Sequence, residues 1–149
     1  AMTIRPATRA DRSQLIPLIR GYFAFYETPF PHPAKITALL DALESDARLG
    51  VQLVAESNRR LVGFTSLYGC FDTLVADRIL VMNDLFVEAG SRGSGVGAAL
   101  LDGVRAYAAE SGYVRLDWVT AHDNLDALRF YDRHGGRRGD WISYSLPVS

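Results

Sequence analysis

The sequence has few of the features that mark a secreted, metal-binding or membrane-spanning protein. Cys70 is the single cysteine in 149 residues, which excludes an intrachain disulfide. No apolar run approaches the roughly 18 residues of a membrane span, and the first residues lack the layout of a signal peptide. The three histidines have no second ligand at a metal-like spacing. We therefore expect a cytoplasmic protein with no metal site and no membrane partner.

Neither sign of charge is in excess. Arginine and lysine together number 16, against 17 aspartates and glutamates, which gives a formal net charge of -1. No basic block interrupts this balance, so the composition does not favour binding to nucleic acid. The hydrophobic fraction of 48% is ordinary for a globular protein, and 149 residues suffice for one buried core. The sequence predicts one domain over residues 2–149.

Apolar periodicity predicts alternating strands and helices. Thr8 and Asp11 form a T-x-x-D capping box at the start of the first helix. The predicted strands are 3–8, 51–56, 61–71, 78–87, 114–121 and 141–146, and the later helices are 35–44, 95–111 and 124–134. Cys70 falls in the third strand, where we expect it in the core. The order β-α-α-β-β-β-α-β-α-β predicts an α+β (mixed α/β) fold, with an early antiparallel meander and a later βαβ crossover.

A glycine-rich stretch, S-R-G-S-G-V-G-A-A-L-L at Ser91–Leu101, joins an apolar strand to a helix. A helix N-terminus leaves about four backbone N–H groups without partners and carries about half a positive charge. Glycines there let the backbone approach a bulky anion, and Arg92 adds a fixed positive charge. The expected anion-binding residues are Arg92, Gly93, Ser94, Gly95, Val96, Gly97 and Ala98. A glycine-rich connection without a ligand is the alternative.

Two familiar phosphate-binding loops fit this stretch poorly. A P-loop requires lysine and then serine or threonine after its last glycine, whereas Ala98 and Ala99 follow Gly97. Gly93, Gly95 and Ala98 do fit the dinucleotide pattern G-x-G-x-x-A. However, residues 88–92 separate the strand from the first glycine, and only residues 98–149 remain to complete a doubly wound sheet.

The pattern R-x-x-G-x-G at Arg92–Gly97 resembles the pyrophosphate-binding motif of the GCN5-related N-acetyltransferase (GNAT) superfamily. I-R-P-A-T near the N-terminus resembles the family's first strand, and Asn124–Gly135 resembles its asparagine-to-tyrosine helix. The segment N-D-L-F-V-E-A-G-S-R-G-S-G-V-G is similar to the diamine (spermidine/spermine) and thialysine branch. The resemblance implies a mostly antiparallel twisted sheet, splayed between the strands Arg78–Val87 and Val114–Ala121 and flanked by about four helices.

The resemblance also implies where acetyl-CoA binds. In the family the pantetheine arm adds to the strand end before the loop, here Leu85, Phe86 and Val87, and a backbone N–H at or near Phe86 and Val87 polarises the thioester carbonyl. Asn124 matches the asparagine that contacts the cofactor, and Ala127 lies beside it. Tyr131, two helical turns after Asn124, matches the tyrosine that protonates the leaving sulfur. A core aromatic is the alternative role for Tyr131.

The general base is less determined. In the polyamine branch an acidic pair matches Asn83 and Asp84, so the first acid is missing here. Asp84 could take the proton of the amine directly or through water, bind the ammonium, or instead bond backbone N–H groups at a strand bulge. The residues expected around a cationic acceptor are Tyr26, Glu27, Asn83, Asp84, Asp117 and Trp118. The alternatives are a solvated helix end for Glu27 and cross-strand pairing for Asp117.

Together these features predict an enzyme that moves acetyl from acetyl-CoA to a primary amine of a small molecule, such as a polyamine or a lysine analogue. Relatives are often dimers, and the closing strand Trp141–Leu146 offers an edge for pairing, so we expect a homodimer. The alternative is a non-catalytic acyl-CoA-binding or sensor module. Such a module needs the phosphate-binding loop but not Tyr131.

Overall fold

The computed structural model describes all 149 residues, in five strands and four α-helices. The strands are β1 (Met2–Pro6), β2 (Gly50–Ser57), β3 (Arg60–Asp72), β4 (Asp77–Val87) and β5 (Leu116–Asp117). The helices are α1 (Arg12–Phe25), α2 (Pro33–Ser45), α3 (Val96–Glu110) and α4 (Leu125–Arg133). None of the four helices is both long and apolar enough to cross a membrane.

The strands form one sheet in the order β1-β2-β3-β4-β5. The first four pair antiparallel, and β5 runs parallel to β4 after the α3 crossover. Asn58 and Arg59 join β2 to β3 with φ of 52° and 63°, as a tight two-residue hairpin turn requires. The mostly antiparallel α+β fold expected from the sequence is confirmed.

Strand alternation divides the core between the two faces of the sheet. Helices α1 and α2 cover one face, where Leu15 and Leu40 pack with Val54 and Phe64. Helix α3 covers the other face, where Val96 and Leu100 pack with the neighbouring strand residues Ala55 and Val62. Each helix therefore fixes one face of the central strands, and the ends of β3 and β4 extend beyond both.

The predicted strand Val114–Ala121 is much shorter in the structure. Only Leu116 and Asp117 pair with β4, opposite Leu80 and Val81. From Met82 onward the edge of β4 has no strand partner on the β5 side, so the sheet opens there. The splay expected between the two strands is present, and it begins earlier than the apolar pattern indicates.

The predicted closing strand over residues 141–146 is wrong, because the structure has no strand there. Trp141 and Tyr144 are 87% and 91% exposed. Alternating apolar residues favour a strand only where a neighbouring strand supplies hydrogen-bond partners, and none pairs with this segment. The expected core position of Cys70 is also wrong: the cysteine is exposed, because the β3–β4 hairpin extends beyond the helices that cover the sheet.

The chain divides into two compact units, Ala1–Trp118 and Val119–Ser149. The first holds the sheet and helices α1 to α3, and the second holds α4 and the C-terminal residues. In the second unit, Asn124 caps α4 by accepting a hydrogen bond from Ala127 N at 3.2 Å. The Phe130 ring contacts the rings of Tyr131 and His134, at centroid distances of 5.4 and 4.4 Å. One domain over residues 2–149 stays a prediction.

Candidate active site

Strand β4 bulges where the sequence places its two polar residues. Ser66 of β3 lies opposite Asp84, whereas Leu67 lies opposite Met82, so Asn83 is the extra residue. Asn83 is exposed. The bulge shifts the alternation of β4 by one residue, which places Asp84 opposite Ser66 and Phe86 opposite Phe64. Asp84 therefore points to the same face as the ring of Phe86.

Asp84 is tied to β3 through its side chain and its backbone. Its carboxylate Oδ1 accepts a hydrogen bond from Ser66 N at 2.6 Å, and its carbonyl oxygen accepts one from Thr65 Oγ1 at 2.6 Å. Burial raises the pKa of Asp84 to about 6, against the opposing effect of hydrogen bonds from Ser66 and Asn83. The carboxylate thus bonds a backbone N–H at the bulge and also has a pKa close to the range suited to a general base.

The last residues of β4 present one backbone edge to the open side of the sheet. Glu88 N donates to Val62 O of β3 at 2.9 Å. Because successive strand residues point their backbone groups to opposite sides, the N–H of Val87 faces away from β3, as does that of Leu85, and the N–H of Phe86 faces β3. Of the two residues expected to polarise a thioester carbonyl, Val87 has the N–H at the open edge.

The glycine turn before α3 has the geometry of an anion-binding loop. Gly93 and Gly95 have φ of +82° and +88°, and an added Cβ at either position would meet no atom within 4 Å. The first helical hydrogen bond runs from Ala99 N to Gly95 O at 3.0 Å. The backbone N–H groups from Gly93 to Ala98 have no carbonyl partner. Open space next to unpaired N–H groups at a helix N-terminus suits a diphosphate, so the loop fits acetyl-CoA.

Arg92 connects this loop to the strand end and to α1. Its Nε donates to Val87 O at 2.9 Å. Its guanidinium carbon lies 5.4 Å from the ring centroid of Phe25 and 5.5 Å from that of Phe86. The Arg92 guanidinium is thus held beside the open edge of β4. Cation–π contacts with both rings stabilise it there.

The residues expected to bind the acceptor are only partly brought together. Tyr26 ends α1 with its ring 5.1 Å from that of Tyr22, which in turn lies 6.1 Å from Phe86. Glu27 follows with an exposed side chain and a left-handed φ of 52°, and its role toward an acceptor stays a prediction. The C-terminal ends of α1 and β4 are thus in contact through the rings of Tyr22 and Phe86.

Asp117 is neutralised by a local ion pair. Its carboxylate accepts a hydrogen bond from Arg115 Nε at 2.8 Å, and Arg115 also binds Asp72. Asp117 lies opposite Val81 of β4, and its carboxylate binds Arg115 on its own segment, so its role toward an acceptor stays a prediction. Trp118 is half-buried and is the last residue of the first unit.

Three predicted cofactor residues lie in the second unit. Asn124 Oδ1 is engaged by the backbone of Ala127, as the helix cap already described. The carbonyl of Tyr131 accepts from Gly136 N at 2.9 Å, which ends α4. The roles of Asn124, Ala127 and Tyr131 toward a cofactor stay predictions.

The sequence analysis missed a group of polar residues behind Asp84. Gln52, Thr65 and Ser66 are buried, and Tyr68 is half-buried beside them. A usable signal was present, because V-Q-L-V and F-T-S-L place polar side chains within apolar strands. Buried polar side chains are rare enough in a sheet core to need a partner or a function.

An antiparallel sheet that opens beside a bulged strand, with a glycine turn into a helix a few residues further on, is the arrangement expected of an acetyl-CoA-dependent acyltransferase. The chain belongs to the acetyltransferase (GNAT) family, whose model matches residues 16–136.

Curated relatives and solved structures agree with this family. The N-acetyltransferase YhfO of Bacillus subtilis is 34% identical over 148 residues, covering 99% of this chain and 98% of that protein. The D-amino-acid N-acetyltransferase HPA3 of Saccharomyces cerevisiae is 26% identical over 117 residues, covering 78% and 73%. A crystal structure described as a probable acetyltransferase has a TM-score of 0.85 at 29% identity, covering 99% of this chain and 98% of the other.

Proposed function

We propose that this enzyme transfers the acetyl group of acetyl-CoA to the primary amine of a small molecule, such as a polyamine or a lysine analogue, by direct attack. The observation that carries the proposal is the row of unpaired N–H groups from Gly93 to Ala98 beside the open edge of β4. The similarity of Asn83–Gly97 to the diamine and thialysine branch supports a small amine acceptor. The relative HPA3 is a D-amino-acid N-acetyltransferase, which supports a small-molecule amine as the acceptor.

The cofactor supplies an acetyl group activated as a thioester. The amides from Gly93 to Ala98 and the Arg92 guanidinium bind its diphosphate, and the edge of Leu85–Val87 pairs with its pantetheine amides. The Val87 N–H would donate to the carbonyl oxygen as negative charge develops there, an effect of about 3–4 kcal/mol per donor in other acyl transfers. Asn124 and Ala127 match family positions that contact the cofactor.

Two residues move protons. Asp84 accepts the proton that the ammonium must lose before its nitrogen can attack, either directly or through one water. At neutral pH a carboxyl group with a pKa of about 6 is mostly ionised, so Asp84 is ready for that step. Tyr131 would donate its hydroxyl proton to the sulfur as the carbon–sulfur bond breaks, and the second proton, which the nitrogen loses after its attack, would restore the tyrosine hydroxyl through water.

The acceptor lies between the end of α1 and the β4 bulge. Tyr26 and Glu27 approach from α1, where the exposed Glu27 carboxylate attracts a cation. Asn83 and Asp84 approach from β4, and Trp118 forms part of the wall. Asp117 contributes less charge than a free carboxylate, since Arg115 neutralises it.

An acceptor screen tests the proposal. Purified protein is mixed with acetyl-CoA and single amines from a panel of polyamines, lysine analogues and amino acids, and products are read by mass spectrometry with released thiol as the control. Tyr131→Phe should lose turnover and keep coenzyme A binding. Binding without product on any amine would favour the alternative, an acyl-CoA-binding or sensor module. Absence of coenzyme binding in a thermal-shift titration would refute both.

We also propose a homodimer. The segment 141–148 exposes Trp141, Ile142, Tyr144 and Leu146, each at least 78% exposed, and neighbouring exposed apolar side chains are typical of an interaction surface. Its alternating pattern suits strand pairing with a second copy. Light scattering should give twice the mass of one chain, and a Trp141→Ser, Tyr144→Ser variant should shift the mass toward one chain.

A further inference from the structure

A chain of buried polar groups crosses the sheet beneath the β4 bulge. Gln52 of β2 and Ser66 of β3 are only 6% and 2% exposed. Gln52 Nε2 donates to Ser66 Oγ at 3.2 Å, and Ser66 N donates to Asp84 Oδ1 at 2.6 Å. We call these three residues the Gln52–Ser66–Asp84 chain. Polar side chains in a sheet core lose hydration, so each must be compensated by a partner.

Each residue of this chain donates a hydrogen bond to the next, from Gln52 to Ser66 and from Ser66 to Asp84. Because the Gln52 amide donates to Ser66 Oγ, the hydroxyl accepts there and its own proton is available to another acceptor. The Ser66 side chain acts to lower the pKa of Asp84 and that of Tyr68. Asp84 Oδ1 accepts a hydrogen bond from the backbone N–H of the same serine at 2.6 Å, which restricts the orientation of the carboxylate at the bulge.

Few charges lie near Asp84, so these hydrogen bonds dominate its environment apart from burial. On β3, Tyr68 is the titratable neighbour, and burial and the Asp84 charge both raise its pKa, which keeps it neutral. On β5, Asp117 lies opposite Val81 and is paired with Arg115. Helix α3 packs on the other face through apolar side chains, and α1 reaches Phe86 through the ring of Tyr22. No salt bridge joins Asp84 to a cation.

Burial and hydrogen bonding act in opposite directions on Asp84. Burial raises the pKa of Asp84, and the Ser66 hydrogen bonds lower it by stabilising the charged form. The polar chain thus keeps the pKa of Asp84 lower than burial alone would make it.

We propose that Gln52 and Ser66 are positioning residues that fix the Asp84 carboxylate at the β4 bulge and keep it ionised and ready to accept the proton of the acceptor amine. This inference rests on the proposed function in one respect only, the assignment of Asp84 as the proton acceptor. The geometric part concerns Asp84 in the protein without substrate. It can therefore be tested separately.

The experiment follows the Asp84 carboxyl carbon by NMR through a pH titration of the substrate-free protein. Asp84→Asn assigns the signal. Ser66→Ala removes the hydroxyl that lowers the pKa of Asp84 and keeps the backbone N–H that bonds Asp84 Oδ1, so it should raise the midpoint by about one pH unit, which is about 1.4 kcal/mol. Gln52→Met keeps the side-chain length and should raise the midpoint by a smaller amount. Where one of these two variants does not fold, the other carries the test.

Thr65→Val is the matched control. Thr65 is as buried as Ser66, and its hydroxyl bonds to the backbone carbonyl of Asp84 rather than to the carboxylate. It should leave the midpoint unchanged while it costs comparable stability. Midpoints that move equally in Thr65→Val and Ser66→Ala, or in neither, would overturn the inference.

The pH dependence of kcat/KM separates this inference from the proposed function. Ser66→Ala should move the acidic limb of the profile by the same amount as the NMR midpoint. A shifted midpoint with an unshifted limb would keep Gln52 and Ser66 as positioning residues of the carboxylate and refute Asp84 as the proton acceptor. An unshifted midpoint refutes the inference whatever the activity shows.

Discussion

Arg92 Nε donates a hydrogen bond to the carbonyl oxygen of Val87 at 2.9 Å, which ties the glycine loop to the last residue of β4. The edge of β4 has no strand partner at this point. The Val87 N–H that we assign to the thioester carbonyl lies on the same edge. The loop to which we assign the diphosphate and the strand to which we assign the acetyl group are thus joined by one side chain.

Replacing Arg92 by alanine should weaken binding of coenzyme A at least about ten-fold, because a charge-assisted contact contributes about 1.5–3 kcal/mol. Calorimetry at low and high salt should show a smaller loss at high salt, where charges are screened. Arg9→Ala is the control, since the Arg9 side chain is 70% exposed and pairs only with Asp41 at 3.3 Å. Equal affinities of the two variants would contradict the role of Arg92.

Gly95→Ala should reduce coenzyme A affinity about ten-fold and destabilise the protein by about 1 kcal/mol, because alanine disfavours the left-handed backbone that Gly95 adopts at φ +88°. Gly90→Ala is the matched control in the same loop. An added Cβ at Gly90 meets no atom within 4 Å, and its φ is not positive. Calorimetry and denaturant unfolding give the two quantities, and a Gly90→Ala variant as impaired as Gly95→Ala would exclude the backbone explanation.

Asp84→Asn should lower turnover and raise stability together. Loss of a general base costs about 100-fold or more in kcat. The pKa of Asp84 is about 6 in the folded protein against 3.8 ordinarily, so the folded state holds more protons between these values. Stability therefore falls as pH rises through this window, by up to about 3 kcal/mol at pH 7.

Asparagine in place of Asp84 removes the loss of stability caused by the buried charge, because its side-chain oxygen can still accept from the Ser66 N–H and carries no charge. Denaturant unfolding should find Asp84→Asn more stable than the wild type at pH 7, with the gap closing below about pH 4. A variant that is less stable at pH 7 would show that the carboxylate is needed for the bulge itself.

Asp11→Asn should remove a pH dependence of the opposite sign. Arg5 Nη1 and Nη2 each donate to Asp11 at 2.8 Å, and this pair, with Thr8 N, lowers the pKa of the Asp11 carboxyl to about 2. A lowered pKa gives stability that is present above the unfolded value near pH 4 and is lost as pH falls toward 2. The loss is about 2 kcal/mol.

Unfolding at pH 7 and at pH 2.5 tests this pair. The wild type should lose stability between the two values more steeply than Asp11→Asn does. Asp41→Asn, in an exposed pair with Arg9 and Arg12, should behave like the wild type. Parallel pH profiles for wild type and Asp11→Asn would show that the pair contributes nothing.

Local patterns predicted most elements to within a few residues. The T-x-x-D box begins a 3-10 turn over Arg9–Asp11 that leads into α1 at Arg12, and Asp11 Oδ2 does accept from Thr8 N at 2.7 Å. The helix expected over 35–44 forms as Pro33–Ser45, and the strand expected over 78–87 forms as Asp77–Val87. These features depend on neighbours in the chain, so a local pattern suffices to find them.

The errors concern features that depend on distant partners. The closing strand needs an edge to pair with, and the length of β5 depends on where β4 separates from it. Cys70 lies in a correctly predicted strand but beyond the helices that cover the sheet. Gln52 and Ser66 are 14 residues apart, and only the β2–β3 register brings them together behind Asp84.

The sequence by itself determined the strand–loop–helix unit that suits a diphosphate, since φ-permissive glycines and a helix start are local properties of the chain. It also placed a carboxylate one residue after Asn83, where an acidic pair was expected. Only the tertiary structure decided that Asn83 is the bulged residue, that Asp84 bonds to Ser66, and that a buried polar chain lies behind it. Those outcomes depend on strand register and on which side chains are buried away from water. Both are set only when the sheet has formed.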